Sequence, residues 1–282
     1  MKHIVTVLSA ALLLGTAASC GNGDKEHKAA TALSAKADSL LNAGDYEAAL
    51  ALYDSLNHAY PKEIDLRKAS NTKRAQAIEG LALSQAPVLD RAIDSLNNRV
   101  AEIYGQFNRE QSSQALNAYA VHKSLAGQKT TGTAALQPRI NVEGNDVSDT
   151  PWSIAVFAPG NIGLNKLAVT TASGQNFTLD VFSNDGQVGS IVASVAEPLG
   201  KYLSQHPDDP ATAFVLSGSK GKAEGKLGSA FSTATAESYN YAVAKNGLRS
   251  ALINREKLER RLNIARRQAT NGAPAENPAN PK

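Results

Sequence analysis

LDRAIDSLNNRVAEIYGQF, residues 89–107, decides the fold class. Its apolar residues Leu89, Ile93, Leu96, Val100, Ile103 and Phe107 step by 4, 3, 4, 3 and 4. That is the a/d stripe of a coiled-coil seam, a narrow apolar edge that needs a partner helix. The run covers under three heptads, which fits a short coil better than a long rod. A matching stripe lies near the other end, in YAVAKNGLRSALINREKLERRLNIA, residues 241–265. Tyr241, Ala244, Leu248, Ala251, Leu258, Leu262 and Ala265 share a face there, with Arg255 as a polar member. Helix formers dominate residues 236–269, and no Pro interrupts them. We expect this C-terminal helix to pack antiparallel on residues 88–108. The alternative is that each stripe pairs with a second copy of the chain.

Between Leu89 and the N-terminus the pattern stays helical. Leu33, Ala37, Leu40 and Leu41 recur at helical spacing until Gly44-Asp45 breaks it. Tyr46, Ala49, Leu50, Tyr53 and Leu56 form a second face, which Pro61 ends. The stretch AGDYEAALALYDSL (residues 43–56) resembles the second half of a tetratricopeptide repeat, with Ala49 small at a close approach and Tyr53 beside it. One such unit is present where a stable solenoid needs three or more, so a single hairpin capping another structure is expected. Helix resumes from Lys62, with Pro87 as a break or kink.

From about Leu136 the periodicity changes. Short strands are expected at 139–142, 153–158, 167–171, 177–182, 190–195 and 213–216, separated by Pro159-Gly160, Ser173-Gly174 and Asn184-Asp185-Gly186. Phe177-Thr178-Leu179-Asp180-Val181 alternates as a half-buried strand does. Asp185-Gly186 suits a hairpin turn with positive φ at both central residues. Residues 197–205 read as one short helix crossing the sheet. The fold class is therefore α+β. A helical hairpin and coil helix occupy 31–110, a connector 111–135, and a small β-rich domain 136–235. The C-terminal coil helix (236–269) and a disordered tail (270–282) follow.

The N-terminus carries an address. Met1-Lys2-His3 is positive, Ile4 to Leu14 is apolar, and Gly15 to Ser19 are small, which is the order of a secretory signal. The apolar run is too short for a bilayer span of about 20 residues. Ala17-Ala18-Ser19-Cys20 resembles the lipobox of bacterial lipoproteins, with Ala17 where Leu is usual. Cys20 is the chain's only Cys and can form no internal disulfide. We expect 1–19 to be removed, Cys20 to carry the lipid (acyl chains such as palmitate), and 20–30 to be a flexible tether. Gly21 after the lipidated Cys, by resemblance to lipoproteins of double-membraned bacteria, implies the outer membrane. Without Lys2, 28 of the 29 Lys and Arg remain against 26 Asp and Glu, a balance that argues neither for nor against a polyanion partner.

Motifs for chemistry are scarce. His27, His58, His122 and His206 show no metal-ligand spacing, and no His-Glu-x-x-His or Gly-x-Ser-x-Gly occurs. Each His is expected to be an ordinary surface or helix-end residue. The stretch 218–228, GSKGKAEGKLG, departs from a phosphate loop: Gly221 and Gly225 enclose three residues, and Leu227 follows Lys226. A solvated hairpin loop is expected. Glu143, Asn145, Asp146 and Asp149 do not follow the calcium-loop pattern. No metal or cofactor is expected. Residues 245–282 hold nine basic residues against three Glu. Arg260, Arg261, Arg266 and Arg267 are thus candidate contacts to an anionic surface, weighed against a solvated face of helix pairs. Trp152, the only Trp, is a candidate sugar-stacking residue, with a core role the stronger reading.

The stretches NAGDYEAALALYDSLNHAYPKEIDLRKAS (42–70) and REKLERRLNIARRQ (255–268) resemble a group of exported lipoproteins of the Bacteroides type. The resemblance implies architecture and envelope location, and no activity. The expectation is a non-enzymatic, lipid-anchored envelope protein whose helices present a β-rich head. Its expected partners are the membrane, another envelope protein or itself, and not nucleic acid. The alternatives are an assembly factor that oligomerises through the coil helices and a hydrolase with an unrecognised site in the β domain.

Overall fold

The computed structural model describes residues 23–110, 119–141 and 151–272. Cys20, the signal segment, the acidic run from Glu143 to Asp149 and the tail beyond Gly272 lie outside the described residues. The chain is mixed α and β, with helices at both ends and the strands between them. It divides into two compact units: Ala86–Lys257, and the residues up to Gln85 together with those from Leu258.

In the helical unit, α1 (Gly23–Asn42) and α2 (Tyr46–Ala59) form the expected hairpin. Gly44 closes α1 at φ +79°, where the Asp45 N–H reaches the Leu40 carbonyl and the Gly44 N–H reaches that of Leu41. That double bond is a Schellman cap, which favours Gly because a Cβ is strained at positive φ. Asp45 then caps α2 by accepting the Ala48 N–H at 3.2 Å. Ala49 and Tyr53 are fully buried, and the Tyr53 hydroxyl donates to Asp38 at 2.7 Å. Burial first, then that carboxylate, raises the Tyr53 phenol well above its ordinary range. Lys73 pairs with Asp38, and Arg74 with Asp54 at 2.6 Å. The first turns of α3 (Ile64–Tyr104) complete this packing. A Cβ on Gly80 would fall 2.3 Å from the Tyr46 ring.

Two expectations change here. α1 starts at Gly23, inside the segment 20–30 expected to be a tether. Its charges do not prevent a helix because Ala30 is fully buried and His27 Nδ1 lies 2.8 Å from Glu63. α3 runs through Pro87 without ending, so of the break or kink expected there the helix shows no break.

The strands are β1 (Phe107–Glu110), β2 (Tyr119–His122), β3 (Ala135–Asn141), β4 (Trp152–Phe157), β5 (Leu164–Thr171), β6 (Asn176–Asp180), β7 (Phe182–Ser183) and β8 (Val188–Val192). Helix α4 (Ala193–Gln205), β9 (Ala211–Gly218), β10 (Gly221–Lys226) and α5 (Ser229–Gly272) follow. One sheet has the order β1-β2-β3-β4-β8-β7 and the other β10-β9-β5-β6, antiparallel throughout. Ile140, Trp152, Ile154, Val156 and Ile191 of the first meet Leu167, Val169, Phe214 and Leu216 of the second in one core, with Leu199 of α4 and Phe231 of α5.

The two heptad stripes meet within one chain. In the β unit the Tyr104 and Tyr241 rings lie 6.5 Å apart, and Arg255 Nε donates to Asp90 at 2.8 Å. A Cβ on Gly247 would touch Leu96 at 3.3 Å. In the helical unit Arg266 donates to Glu79 at 2.8 Å. Residues rise along α3 as they fall along α5, so the pair is antiparallel. Arg255, the polar break in the apolar stripe, is thereby matched by a carboxylate.

The strand boundaries needed correction. Phe107, the last member of the stripe, stands in β1, and the expected connector 111–135 contains β2, a 3-10 helix (Lys123–Leu125) and the start of β3. Most of the loop expected at 218–228 is strand: Gly218 ends β9 and Gly221–Lys226 is β10. α4 begins at Ala193, so the strand expected at 190–195 stops at Val192. α5 begins at Ser229, seven residues earlier than 236. The Asn184-Asp185-Gly186 turn joins β7 to β8, yet only Gly186 has positive φ, +71°. Asp185 shapes it instead, its carboxylate accepting the N–H groups of Val188 and Gln187 at 2.7 and 2.8 Å. Those bonds hold the Asp185 carboxyl below the usual carboxylate range.

Candidate functional site

Directly opposed residues of an antiparallel sheet share a face. In the six-stranded sheet the register opposes Val121 to Arg139, Arg139 to Ser153, Gln137 to Ala155, Ala135 to Phe157, Phe157 to Val188, and Phe182 to Ser190. These residues form the face opposite the Trp152, Ile154 and Val156 core. Its centre is small and covered: Ala135, Gln137 and Ala155 are buried. Its margin is large and open, with Phe182 64% and Val188 45% exposed. Between them the Arg139 guanidinium lies 3.9 Å over the Tyr119 ring and 5.6 Å from that of Phe157. Gln137 Oε1 accepts its Nε–H at 2.8 Å and an Nη2–H at 2.5 Å, which fixes the plane of the cation. An ordered guanidinium among aromatic rings, with apolar side chains beside it, suits a ligand with planar or apolar faces and polar edges.

A second cluster is buried where β2 ends. The His122 ring packs edge-on against Phe107 at 5.2 Å. Nδ1 accepts the Ser124 backbone N–H at 3.2 Å, capping the 3-10 helix. Nδ1 is therefore the unprotonated nitrogen, and Nε2–H donates to Glu237 of α5 at 3.1 Å. The Ser124 hydroxyl lies 2.7 Å from Nδ1. Of the positions expected for the His residues, surface or helix end, His122 takes the helix end, yet it is buried: its side chain is 8% exposed with both ring nitrogens engaged. The signal in the sequence was the short run Tyr119-Ala120-Val121, which marks a strand leading to His122.

A third cluster surrounds Asp209. Its carboxylate accepts the Ser173 hydroxyl at 2.6 Å and N–H at 2.7 Å, the Tyr202 hydroxyl at 2.6 Å and the Thr171 hydroxyl at 2.8 Å. The Ser173 hydroxyl, then that of Tyr202, holds the Asp209 carboxyl well below the usual carboxylate range. His206 stacks on Tyr202 at 4.2 Å. Both carboxylate oxygens are engaged, so the cluster ties the β5–β6 turn to the end of α4. A depressed folded-state pKa contributes stability above the unfolded value near 3.9, lost as pH falls through the folded one. Asp209→Asn is accordingly expected to lower the melting temperature at neutral pH, with the gap to wild type closing below about pH 4. Melting curves from pH 7 to 2 check this.

Of the residues singled out in the sequence, Trp152 is 2% exposed and lies edge-on to Tyr239 at 6.4 Å. It is a core residue, out of reach of a sugar. Arg260, Arg261, Arg266 and Arg267 are exposed on α5, with Arg266 engaged by Glu79. Among the described residues no three His, Cys, Asp or Glu are grouped to hold a metal, and no helix is long and apolar enough to cross a membrane. No protein-family model matches the chain, and neither does any curated protein or solved structure.

Proposed function

We propose that this is an exported lipoprotein, held in the outer membrane by a lipid on Cys20, whose β unit binds a component of the cell envelope. The observation that carries the binding role is the contiguity of Phe157, Val188 and Phe182 on one sheet face beside the ordered Arg139. Large exposed apolar side chains grouped with a fixed cation mark an interaction surface, whereas scattered ones do not. The address rests on the charged, apolar and small-residue order of residues 1–19 and on the lone Cys that follows. The resemblance to exported Bacteroides-type lipoproteins points the same way. The second reading, assembly through the coil helices, would use surface beyond the pairing of α3 with α5 inside one chain.

Mass spectrometry of the N-terminal peptide, with a cross-linking pull-down from intact cells, tests both parts. The expected result is a diacylglyceryl-modified Cys20 at the mature N-terminus and a reproducible partner that is lost with Cys20→Ala. An unmodified chain that still begins at Met1 would overturn the address. Self-cross-links alone would overturn the binding role in favour of assembly.

A further inference from the structure

We propose that Ser124, His122 and Glu237 form an acyl-transfer site that hydrolyses esters. Three features of the cluster carry this beyond recognition. The Ser124 hydroxyl is exposed and 2.7 Å from Nδ1 of His122. That nitrogen's single lone pair faces both Ser124 groups, the hydroxyl at 2.7 Å and the N–H at 3.2 Å, and the hydroxyl's other acceptor is the Ala230 carbonyl at 3.4 Å. The opposite ring nitrogen donates to Glu237 at 3.1 Å, and the carboxylate fixes both tautomer and ring orientation. Nucleophile, base and orienting carboxylate are therefore linked in series, which is the arrangement that activates a serine. The two ring nitrogens exchange the places they hold in serine proteases, where Nε2 faces the hydroxyl. The proton path is unchanged, since a neutral imidazole has one acceptor and one donor nitrogen.

The surroundings fit the roles. The base is shielded by Phe107 and 8% exposed, while the nucleophile faces solvent. Lys123, the residue between them, is drawn aside, its Nζ donating to the Gly105 carbonyl at 2.6 Å. Capping of the 3-10 helix would need only the Ser124 N–H on Nδ1 and does not require Glu237. In the reaction, Ser124 Oγ attacks the ester carbonyl carbon as its proton passes to Nδ1, and the carboxylate of Glu237 stabilises the imidazolium. Collapse breaks the bond to the alcohol oxygen, which takes the proton from Nδ1. Water, deprotonated by the same nitrogen, then cleaves the acyl-serine and releases the acid, restoring Ser124. Ser124 and His122 are the catalytic residues, and Glu237 is a positioning residue.

The test uses the purified full-length protein, a fluorophosphonate probe and p-nitrophenyl acetate. The expected result is a probe adduct on Ser124 and ester hydrolysis that Ser124→Ala abolishes. Glu237→Gln should lower kcat on the order of 100-fold with KM unchanged, the scale of a general base in the wrong tautomer. Both variants are compared with wild type by circular dichroism, because Ser124→Ala also removes the hydroxyl's contacts with His122 Nδ1 and the Ala230 carbonyl. Absence of an adduct on Ser124 in the folded wild-type protein would overturn the proposal. So would hydrolysis that survives Ser124→Ala, or equal labelling rates in wild type and a folded Glu237→Gln.

Discussion

Replacing Trp152 with Ala is expected to cost about 3–5 kcal/mol, the range for deleting a fully buried aromatic side chain. The side chain is 2% exposed, sits opposite Ile140 in the sheet register, and meets the Tyr239 ring edge-on. α4 is fitted to it. A Cβ on Gly200 would lie 2.8 Å from Trp152 Cη2 and 2.9 Å from Tyr239 Cβ, so α4 presents no side chain at this point to fill the vacated volume. Domains are stable by only about 5–15 kcal/mol, which makes this loss a large share of the whole. Melting followed by circular dichroism is expected to shift on the order of 10 °C. A loss under about 1 kcal/mol would mean that the core closes around the hole, contrary to the packing described.

Gly218→Ala is the second large effect. A Cβ there would fall 2.3 Å from the Gly163 carbonyl oxygen and 2.4 Å from both the Gly163 carbonyl carbon and the Ile162 oxygen. All three are backbone atoms, and none can rotate away as a side chain does. The same carbonyls accept the Ser219 N–H at 3.2 Å and the Lys220 N–H at 2.8 Å, so separating the segments strains two hydrogen bonds as well. Overpacking of about 1–3 kcal/mol and bonds worth about 1 kcal/mol each give an expected cost of roughly 3 kcal/mol or more. Gly228→Ala is the control, because nothing lies within 4 Å of a Cβ at that position. Urea unfolding of the two variants is expected to separate them clearly. Equal midpoints would show that the β4–β5 and β9–β10 loops are not held together at Gly163 and Gly218.

The helices were legible because their signals are local. A 4-3-4-3-4 stripe and a Gly-Asp break need no knowledge of distant residues, and the hairpin, its break and both stripes, apart from Phe107, stand on helices where the periodicity put them. The strands at Trp152–Phe157 and Leu164–Thr171 were found through apolar runs between turn residues. β10 was not, because Gly221–Lys226 holds one apolar residue, Ala223; an edge strand needs only backbone partners on one side. β1 was missed because Phe107 extends the heptad, and the change from helix to strand occurs at Gly105-Gln106 without a Pro. Helix continuing through Pro87 is likewise invisible locally, since Pro usually ends one.

The candidate sites were least legible. Phe157, Val188 and Phe182 are far apart in the chain and become neighbours only through the β4–β8 and β7–β8 registers. His122 and Glu237 are separated by 115 residues. Trp152 drew attention by rarity, which is no guide to exposure; its place on the inward side of β4 is a consequence of pairing. Arg255 was marked as a flaw in an apolar stripe, and its carboxylate partner Asp90 became apparent only once the two helices were aligned.

The central claim is that the sheet face carrying Phe182 meets an envelope component while the chain is anchored through Cys20. Photocross-linking from a benzophenone amino acid in place of Phe182, in intact cells, tests it most directly. The expected result is one discrete adduct, absent when the same probe replaces exposed Lys222 on the other sheet, and absent when Cys20→Ala frees the chain. Equal, diffuse labelling from positions 182 and 222, or no adduct in the anchored protein, would contradict the account.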